Sequence, residues 1–165
     1  MKKKQGKKIW VLVLALVVVV CGSVLFVGAV SGWFNGPTVA EIDSDYYCNN
    51  KCYLELKDIS IDEYNKMTAD GKSFVVVIDQ SGCTTAEKIK EYAVRYSNGR
   101  RFQIFKVMYS GIKDTNLNEK VKYYPSVAVI SKGKVIAALR ADSDEDAPMY
   151  NNYDDFEEWL SRFVR

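Results

Sequence analysis

The stretch that decides the fold is FVVVIDQSGC, residues 74–83. Its first five residues form a continuous apolar run rich in β-branched side chains, which is typical of a strand buried on both faces. Polar residues then end the run, and Cys83 closes it. A helix is predicted from about Thr85 to Ser97, because apolar side chains recur there at intervals of three and four residues. The stretch therefore predicts a buried strand, a turn with a cysteine, and a helix.

Signals for further strands and helices lie on both sides of this unit. Ser60 followed by Glu63 is a capping-box pattern, which predicts a helix that begins at Ile61. The Lys132-Gly133-Lys134 sequence predicts a hairpin turn between two apolar runs. The remaining predicted elements are strands at Tyr53–Ile59, Phe102–Met108, Ser126–Ile130 and Val135–Leu139, and helices at Ile61–Ala69, Asn116–Lys122 and Asp154–Val164. The order β-α-β-α-β-α-β-β-α is that of one α/β domain.

This order, with a cysteine directly after the central buried strand and a hairpin introduced by a proline, resembles thioredoxin. Two stretches carry the resemblance. In FVVVIDQSGC the family has a strand followed by Trp-Cys-x-x-Cys. In YYPSVAVISKGKVI, residues 123–136, it has a cis-proline, a strand, a lysine-glycine turn and a second strand. The resemblance covers nearly all of Cys52 to Val164 and implies a thioredoxin-like fold, a central mixed sheet flanked by helices.

The resemblance also implies where a substrate would bind. It implies that the Tyr124–Pro125 peptide bond is cis, that it lies beside Cys83, and that it presents backbone to an extended substrate. The substrate-binding residues expected from it are Thr84, Thr85, Tyr124 and Pro125, and the catalytic residue is Cys83.

The sequence departs from the thioredoxin pattern at the residues that carry the chemistry. Ala86 stands where the family has its second, resolving cysteine, so a dithiol cycle within this site is excluded. Val77 replaces the buried aspartate, and Gly82 replaces the tryptophan before the first cysteine. Asp79 falls where the family usually has another aromatic residue, and its use as a substitute base is an open hypothesis. The redox chemistry still open to this site is that of a monothiol disulfide oxidoreductase without a resolving cysteine, and whether the chain is an enzyme stays open at this point.

The reactivity of Cys83 depends on the start of the following helix. Thr84 followed by Glu87 is a second capping-box candidate, which would place Cys83 just before the N-cap. Free backbone amides and the helix dipole favour a thiolate there. Glu87 and Asp79 oppose it by like charge, so a mild activation is expected. The alternative is an unreactive cysteine that packs as a small hydrophobe.

The chain contains no histidine, which removes whole classes of site. It excludes Ser-His-Asp and Cys-His nucleophile pairs, two-His metal sites and imidazole acid-base chemistry. The four cysteines are not spaced as two Cys-x-x-Cys pairs, so no zinc site is predicted. We expect neither a metal nor a cofactor.

Cys48 and Cys52 form a local Cys-Asn-Asn-Lys-Cys motif. In a thioredoxin-like sheet the segment with these two cysteines starts at the end opposite Cys83. A disulfide needs Cα atoms closer than ~7 Å, so a bridge from either cysteine to Cys83 is not expected. We therefore predict a structural disulfide between Cys48 and Cys52, compatible with an oxidising compartment. A redox-active switch and two free thiols are the alternatives.

A membrane span is predicted near the N-terminus. Ile9 to Val30 are 22 residues without a charge, about 33 Å long as a helix, which is enough to cross the hydrocarbon core. A buried strand would rarely exceed ten residues. The five lysines among the first eight residues predict that the tail stays in the cytoplasm and that everything beyond Ser31 lies outside.

The predicted domain boundaries follow from this span. They are a basic cytoplasmic tail at 1–8, a transmembrane signal anchor at 9–30, a tether at 31–47 and the thioredoxin-like domain at 48–165. The alternatives to an uncleaved anchor are cleavage near Val27-Gly28-Ala29, or lipidation of Cys21. The apolar stretch is longer than the 7 to 15 residues of a signal core, which favours the anchor.

Acidic residues are concentrated near the C-terminus. They are Asp142, Asp144, Glu145, Asp146, Asp154, Asp155, Glu157 and Glu158. Carboxylate clusters can bind calcium, but no EF-hand loop fits this spacing, so solvated charge is the simpler interpretation. Beyond the basic tail the net charge is −3, from 18 basic and 21 acidic residues, and no nucleic-acid partner is expected.

Two functions fit these predictions. The first is thiol–disulfide exchange or other redox handling of exported proteins through the single cysteine, Cys83, by a single-pass membrane protein whose domain lies outside the cell membrane. The alternative is a non-catalytic adaptor that binds extended peptides beside Pro125, for example in an export or bacteriocin-transport system. The partners in both cases are the membrane and exported proteins or peptides.

Overall fold

The structure, a computed structural model, describes residues 38–49, 52–80, 82 and 84–165. All of them belong to one compact unit, Pro37–Arg165. The predicted basic tail, the transmembrane anchor and most of the tether lie outside the described residues. Among the residues that are described, no helix has both the length and the apolar character needed to span a bilayer.

In the part of the chain that the structure describes, five strands form one mixed sheet in the order β1-β3-β2-β4-β5. They are β1 Lys57–Asp58, β2 Phe74–Asp79, β3 Phe105–Met108, β4 Ser126–Ser131 and β5 Lys134–Ala138. β3 runs parallel to β1 and β2, whereas β4 is antiparallel to both of its neighbours. The continuous apolar run that opened the sequence is the central strand β2, and all six of its residues are buried. The predicted buried strand is thus confirmed.

Within the described residues, four α-helices flank the sheet and two short 3-10 helices accompany them. The α-helices are α1 Ile61–Ala69, α2 Thr84–Arg100, α3 Ala147–Asn151 and α4 Tyr153–Ser161, and the 3-10 helices are Ser44–Tyr46 and Tyr109–Asp114. The helix predicted at Asn116–Lys122 is wrong, because this stretch forms turns after the second 3-10 helix. The strand predicted at Tyr53–Ile59 is reduced to the two residues of β1.

The two faces of β2 lead into two separate hydrophobic cores. Val75 and Val77 face the core that contains Ile89 of α2 and Phe156 of α4. Phe74, Val76 and Ile78 face the core that contains Tyr64 of α1 and Phe105 of β3. Successive residues of a strand point to opposite faces, so one apolar run supplies both cores. This is the reason why the run has no polar alternation.

The folded domain begins before the predicted boundary at Cys48. Ala40 forms a parallel bridge with Val164, and their segments exchange backbone hydrogen bonds between residues 40 and 163–165. Ala40 and Ile42 are buried in the core, because this extended stretch alternates apolar and polar residues. Residues 40–47, which the sequence assigned to the tether, are therefore part of the domain.

Candidate functional site at one edge of the sheet

Two segments that the sequence singled out meet at one edge of the sheet, where β2 ends and β4 begins. The strand register pairs Ile78 of β2 with Ser126, the first residue of β4. Pro125 directly precedes Ser126, and the Tyr124–Pro125 peptide bond is cis. The isomer implied by the resemblance is therefore confirmed. The helix α2 also begins at this edge, since only four residues separate it from the end of β2.

The residues predicted to bind substrate differ in their accessibility. α2 begins at Thr84, so Thr84 is the first helical residue and not the N-cap that the capping-box pattern predicted. Thr84 and Thr85 are exposed, Tyr124 is 40% exposed and Pro125 is buried. Cys83, one residue before α2, lies outside the described residues. Its catalytic role and the four binding assignments stay predictions.

Tyr150 supports Pro125 from a helix that the sequence did not predict. The phenolic hydroxyl of Tyr150, on α3, donates a hydrogen bond to the carbonyl oxygen of Pro125 at 2.9 Å, in a buried environment. Burial, followed by the negative charges of Asp146 and Asp142, raises the pKa of Tyr150 well above its usual value. The loop between the last strand and the last helix therefore reaches back to the candidate site and fixes the carbonyl beside it.

Replacing Tyr150 by phenylalanine should lower the free energy of unfolding by about 1–2 kcal/mol, because the buried carbonyl of Pro125 loses its donor. Since folding raises the pKa of Tyr150, the wild-type protein should lose stability as the pH rises above about 10, where the unfolded tyrosine ionises. The Tyr150→Phe protein should lose less over that range. Urea denaturation at pH 7, 10 and 11 measures both effects. Equal stability of the two proteins at pH 7 would show that this hydrogen bond contributes nothing.

An ion cluster lies at the end of β2, under the start of α2. The side chain of Asp79 is only 7% exposed, and its Oδ2 atom is 3.3 Å from the Nζ atom of Lys90 and 4.0 Å from that of Lys106. Its Oδ1 atom accepts a hydrogen bond from the backbone N–H of Gln80 at 2.8 Å. Both carboxylate oxygens thus have partners, which does not favour Asp79 as a substitute base.

Lys90 also binds the other carboxylate of this region. Its Nζ atom is 2.6 Å from the Oε1 atom of Glu87. The hydrogen bond to Glu87 raises the pKa of Lys90, burial opposes this, and the contact with Asp79 adds to the increase. One ammonium group therefore contacts both Asp79 and Glu87, the two carboxylates that the sequence analysis weighed against a thiolate at Cys83.

Three exposed apolar side chains and one half-buried ring lie on the Tyr124 side of this edge, and of these sequence reasoning found only Tyr124. We call Met108, Tyr109, Tyr123 and Tyr124 the aromatic patch. Met108 ends β3 and pairs in register with Asp79, so it lies at the same edge of the sheet as Pro125. The rings of Tyr109 and Tyr124 have their centroids 4.7 Å apart. The tyrosine pair before Pro125 was the one signal in the sequence that could have pointed to the patch.

Cys48 and Cys52 lie at the other end of the sheet. They form a disulfide, with Cα atoms 6.6 Å apart. The backbone N–H of Cys48 donates to the carbonyl oxygen of Arg101 at 2.8 Å, just before the chain enters β3. Because β3 is parallel to β2, its start lies at the edge remote from Pro125. The disulfide is therefore distant from the candidate site.

Two of the acidic residues near the C-terminus, Glu145 and Asp146, bind Arg140. Asp146 is buried, and its Oδ2 atom accepts hydrogen bonds from the backbone N–H and the Nε atom of Arg140, at 2.7 and 3.2 Å. Glu145 pairs with the same guanidinium at 2.8 Å. Within the described part of the chain, no group of three His, Cys, Asp or Glu side chains could hold a metal ion.

The domain resembles solved thioredoxin structures. The oxidised thioredoxin from Plasmodium falciparum aligns with 66% of this chain and 97% of its own length, at 14% identity and a TM-score of 0.51. A mutant thioredoxin from Halobacterium salinarum aligns with 67% of this chain and 92% of its own, at 12% identity and a TM-score of 0.49. The thioredoxin from Trypanosoma brucei brucei aligns with 69% and 98%, at 10% identity and a TM-score of 0.48.

No protein-family model and no curated protein matches the sequence. The likeness to the first of these structures, together with the strand order, establishes the fold. The domain has the thioredoxin fold.

Proposed function

We propose that this chain is a membrane-anchored protein whose thioredoxin-fold domain performs thiol–disulfide exchange on exported proteins through Cys83. The observation that carries the proposal is the meeting of Pro125 and the start of α2 at one edge of the sheet. Residues 9–30 would be the transmembrane anchor, with the lysine-rich tail in the cytoplasm and the domain outside. The chain would then be a monothiol disulfide oxidoreductase.

The proposed step needs a thiolate at Cys83. The first N–H groups of a helix have no partner within it, so its N-terminus favours negative charge. The Cys83 thiolate attacks one sulfur of a client disulfide, and a mixed disulfide forms as the client S–S bond breaks. The other client sulfur leaves as a thiolate and takes a proton from water.

Release of the client needs a thiol from outside the domain. Ala86 occupies the position of a resolving cysteine, carries no sulfur and is fully buried. The disulfide of Cys48 and Cys52 lies at the opposite edge of the sheet. An external low-molecular-weight thiol therefore attacks the mixed disulfide, frees the client and becomes bonded to Cys83 or to the client in its place. A second molecule of that thiol restores the starting state and leaves as its own disulfide.

A second function, the binding of extended peptides without chemistry, is favoured by the aromatic patch. Tyr123 and Tyr124 are 56% and 40% exposed beside Pro125. Exposed apolar side chains that cluster on one surface are typical of an interaction site. In this function the domain is an adaptor of an export system, and Cys83 is dispensable.

Reactivity of Cys83 in the full chain, kept in solution by a mild detergent, tests the first function. A fall of one unit in the pKa of a thiol raises its thiolate fraction at pH 7 severalfold. We expect a maleimide to label Cys83 roughly fivefold faster than it labels a cysteine in an unstructured peptide. The same chain should trap clients as mixed disulfides that mass spectrometry identifies. Labelling and trapping that disappear in the Cys83→Ser protein belong to this residue.

The result that would overturn redox activity is equally specific. If Cys83 reacts no faster than the free cysteine and traps no client, thiol exchange is wrong. If the Cys83→Ser protein then still binds extended peptides, the adaptor function stands in its place. If neither chain binds peptides, both functions are wrong.

A further inference from the structure

The aromatic patch is the largest concentration of exposed apolar side chains in the described part of the chain. Five large apolar side chains are exposed in that part, and three of them, Met108, Tyr123 and Tyr124, belong to the patch. The other two are tyrosines at positions 47 and 53. Exposed apolar side chains that lie together on one surface, unlike single ones, are typical of an interaction site. The patch therefore has the chemistry of a binding surface.

The patch is held in place by contacts within the domain. The ring of Tyr109 lies 4.7 Å from that of Tyr124, with an angle of 56° between the planes. The hydroxyl of Tyr109 donates to the carbonyl oxygen of Lys122 at 2.7 Å, which ties the end of β3 to the segment before Pro125. Side chains that are already ordered lose little entropy on binding. The patch is thus prepared for a ligand and does not have to form around it.

The backbone beside the patch can accept an extended chain. The N–H and C=O groups of Tyr124 make no hydrogen bond with any residue of the described part of the chain. Extended peptides bind such groups by main-chain hydrogen bonds, while neighbouring side chains provide the specificity. An extended segment that bonds to Tyr124 would place one of its side chains over the rings of the patch.

A positive charge next to the patch, on Lys122, favours ligands that carry a negative charge. Lys122 precedes Tyr123, and its carbonyl oxygen accepts the hydroxyl of Tyr109, so the residue lies next to the patch. It is exposed, and among the described residues it makes no ion pair. Its ammonium group is free to meet a carboxylate of a ligand. A symmetric contact between two copies of this chain uses the same patch on both, so it would bring two Lys122 ammonium groups to one interface, where like charges repel. A ligand with an acidic residue fits better.

We infer that the aromatic patch determines specificity at the proposed peptide groove, by which we mean the edge of the sheet at Tyr124 and Pro125. The patch selects extended polypeptide segments that carry an aromatic side chain next to a carboxylate. This inference rests on the proposed function, because it concerns the same edge of the sheet. It adds the class of client: rings pack against Tyr109 and Tyr124, and the carboxylate pairs with Lys122. The preferred aromatic contact is edge-to-face or offset, with ring centroids ~4.5–7 Å apart.

Binding of labelled peptides to the full chain in mild detergent tests the inference. The probe is a flexible ten-residue peptide with a central Asp-Trp pair, and its two matched forms carry Asp-Ala and Lys-Trp. We expect the Asp-Ala form to bind at least about tenfold more weakly. The Lys-Trp form should bind about fivefold more weakly at low salt, and the difference should shrink in 0.5 M salt.

Matched variants assign the effect to the patch. Tyr124→Ala should weaken binding of the Asp-Trp peptide at least about tenfold. Tyr53→Ala, which removes a tyrosine that is 75% exposed and far from the patch, should leave binding unchanged. Lys122→Gln should remove the preference for the Asp-Trp peptide over the Lys-Trp peptide. Binding of the Asp-Ala peptide should stay as weak as it is to the wild type. Sedimentation of the same proteins reports whether the patch joins two copies.

Several results would overturn the inference. Equal binding of the Asp-Trp and Asp-Ala peptides would do so, and so would equal losses from Tyr124→Ala and Tyr53→Ala. Self-association that Tyr124→Ala abolishes would assign the patch to a second copy. Each of these outcomes leaves Cys83-dependent trapping of clients intact if the proposed function holds. Failure of the proposed thiol exchange is recognised separately, because then Cys83 traps no client, whether or not the peptides bind.

Discussion

The Gly133→Ala protein should have a free energy of unfolding about 3 kcal/mol below that of the wild type. Gly133 sits in the turn between β4 and β5 with φ +76°, a conformation that costs an L side chain about 1–2 kcal/mol. A methyl group there would also fall on the carbonyl oxygen of Thr68, at the end of α1. Because the obstacle is backbone, relief needs movement of the helix or the turn, at a further ~1–3 kcal/mol.

The turn has little freedom to move, since it is fixed on two further sides. The N–H of Gly133 donates to the carbonyl oxygen of Lys72 at 2.9 Å. The carbonyl oxygen of Gly133 accepts a hydrogen bond from the Nδ2 atom of Asn116, also at 2.9 Å. Gly71→Ala is the matched control, because Gly71 has φ +71° with nothing near the added methyl group. Urea denaturation should show a loss of about 1–2 kcal/mol for this control. Equal losses for both proteins would contradict the steric argument.

Lys90→Met should lower the free energy of unfolding by about 2 kcal/mol. Removing one partner of a buried ion pair costs roughly 3–5 kcal/mol, and the 22% exposure of the Lys90 side chain reduces this figure. The carboxylate of Asp79 would then have one ammonium group near it, that of Lys106 at 4.0 Å. The Asp79 side chain would remain almost fully buried. Methionine keeps the unbranched apolar stem, so the change measures the loss of the ammonium group.

Lys88→Met is the control for this prediction. Lys88 is an exposed residue of the same helix, with no ion pair among the described residues, and its substitution should change stability by less than about 0.5 kcal/mol. The double substitution Asp79→Asn with Lys90→Met should recover part of the loss, because it removes the buried charge that Lys90→Met leaves behind. If Lys90→Met and Lys88→Met are equally stable, the cluster under α2 does not contribute to folding.

The sequence predicted those elements whose signals are local. α1 begins and ends where the pattern placed it, at Ile61 and Ala69, and the Oγ atom of Ser60 accepts the N–H of Glu63 at 3.1 Å as a capping box requires. β2 was equally clear, since a run of β-branched residues is uncommon outside a buried strand. The resemblance built on these elements led to the correct fold, although the identity to solved thioredoxins is 14% or less in the three comparisons given above.

Errors arose where tertiary contacts overrule local preference. Asn116–Lys122 has helix-forming residues, yet Leu117 and Val121 are buried by turns that follow the 3-10 helix. α3 is only five residues long and contains Pro148 at its start, too short for a periodic signal. The early start of the domain, at Ala40, depends on a bridge to Val164, 124 residues away in the chain.

At the candidate site, the sequence predicted the residue types but not their pairing. Cys83, Tyr124 and Pro125 followed from the family pattern. The contact of Tyr150 with Pro125 and the joint binding of Asp79 and Glu87 by Lys90 join separate elements, and no spacing rule connects such residues. The aromatic patch likewise joins the end of β3 to the segment before β4, so its rings are brought together by the fold alone.

The bridge between Ala40 and Val164 fixes the point at which the chain enters the domain. The entering segment runs past Asp43, whose carboxylate accepts the backbone N–H of Ser73 at 2.8 Å, directly before β2 begins. The length of β2, six residues at ~3.3 Å each, or about 20 Å, separates this entry point from Pro125. The entry point and the candidate site therefore lie at opposite ends of the sheet, and the buried strand β2 holds them apart as a rigid spacer.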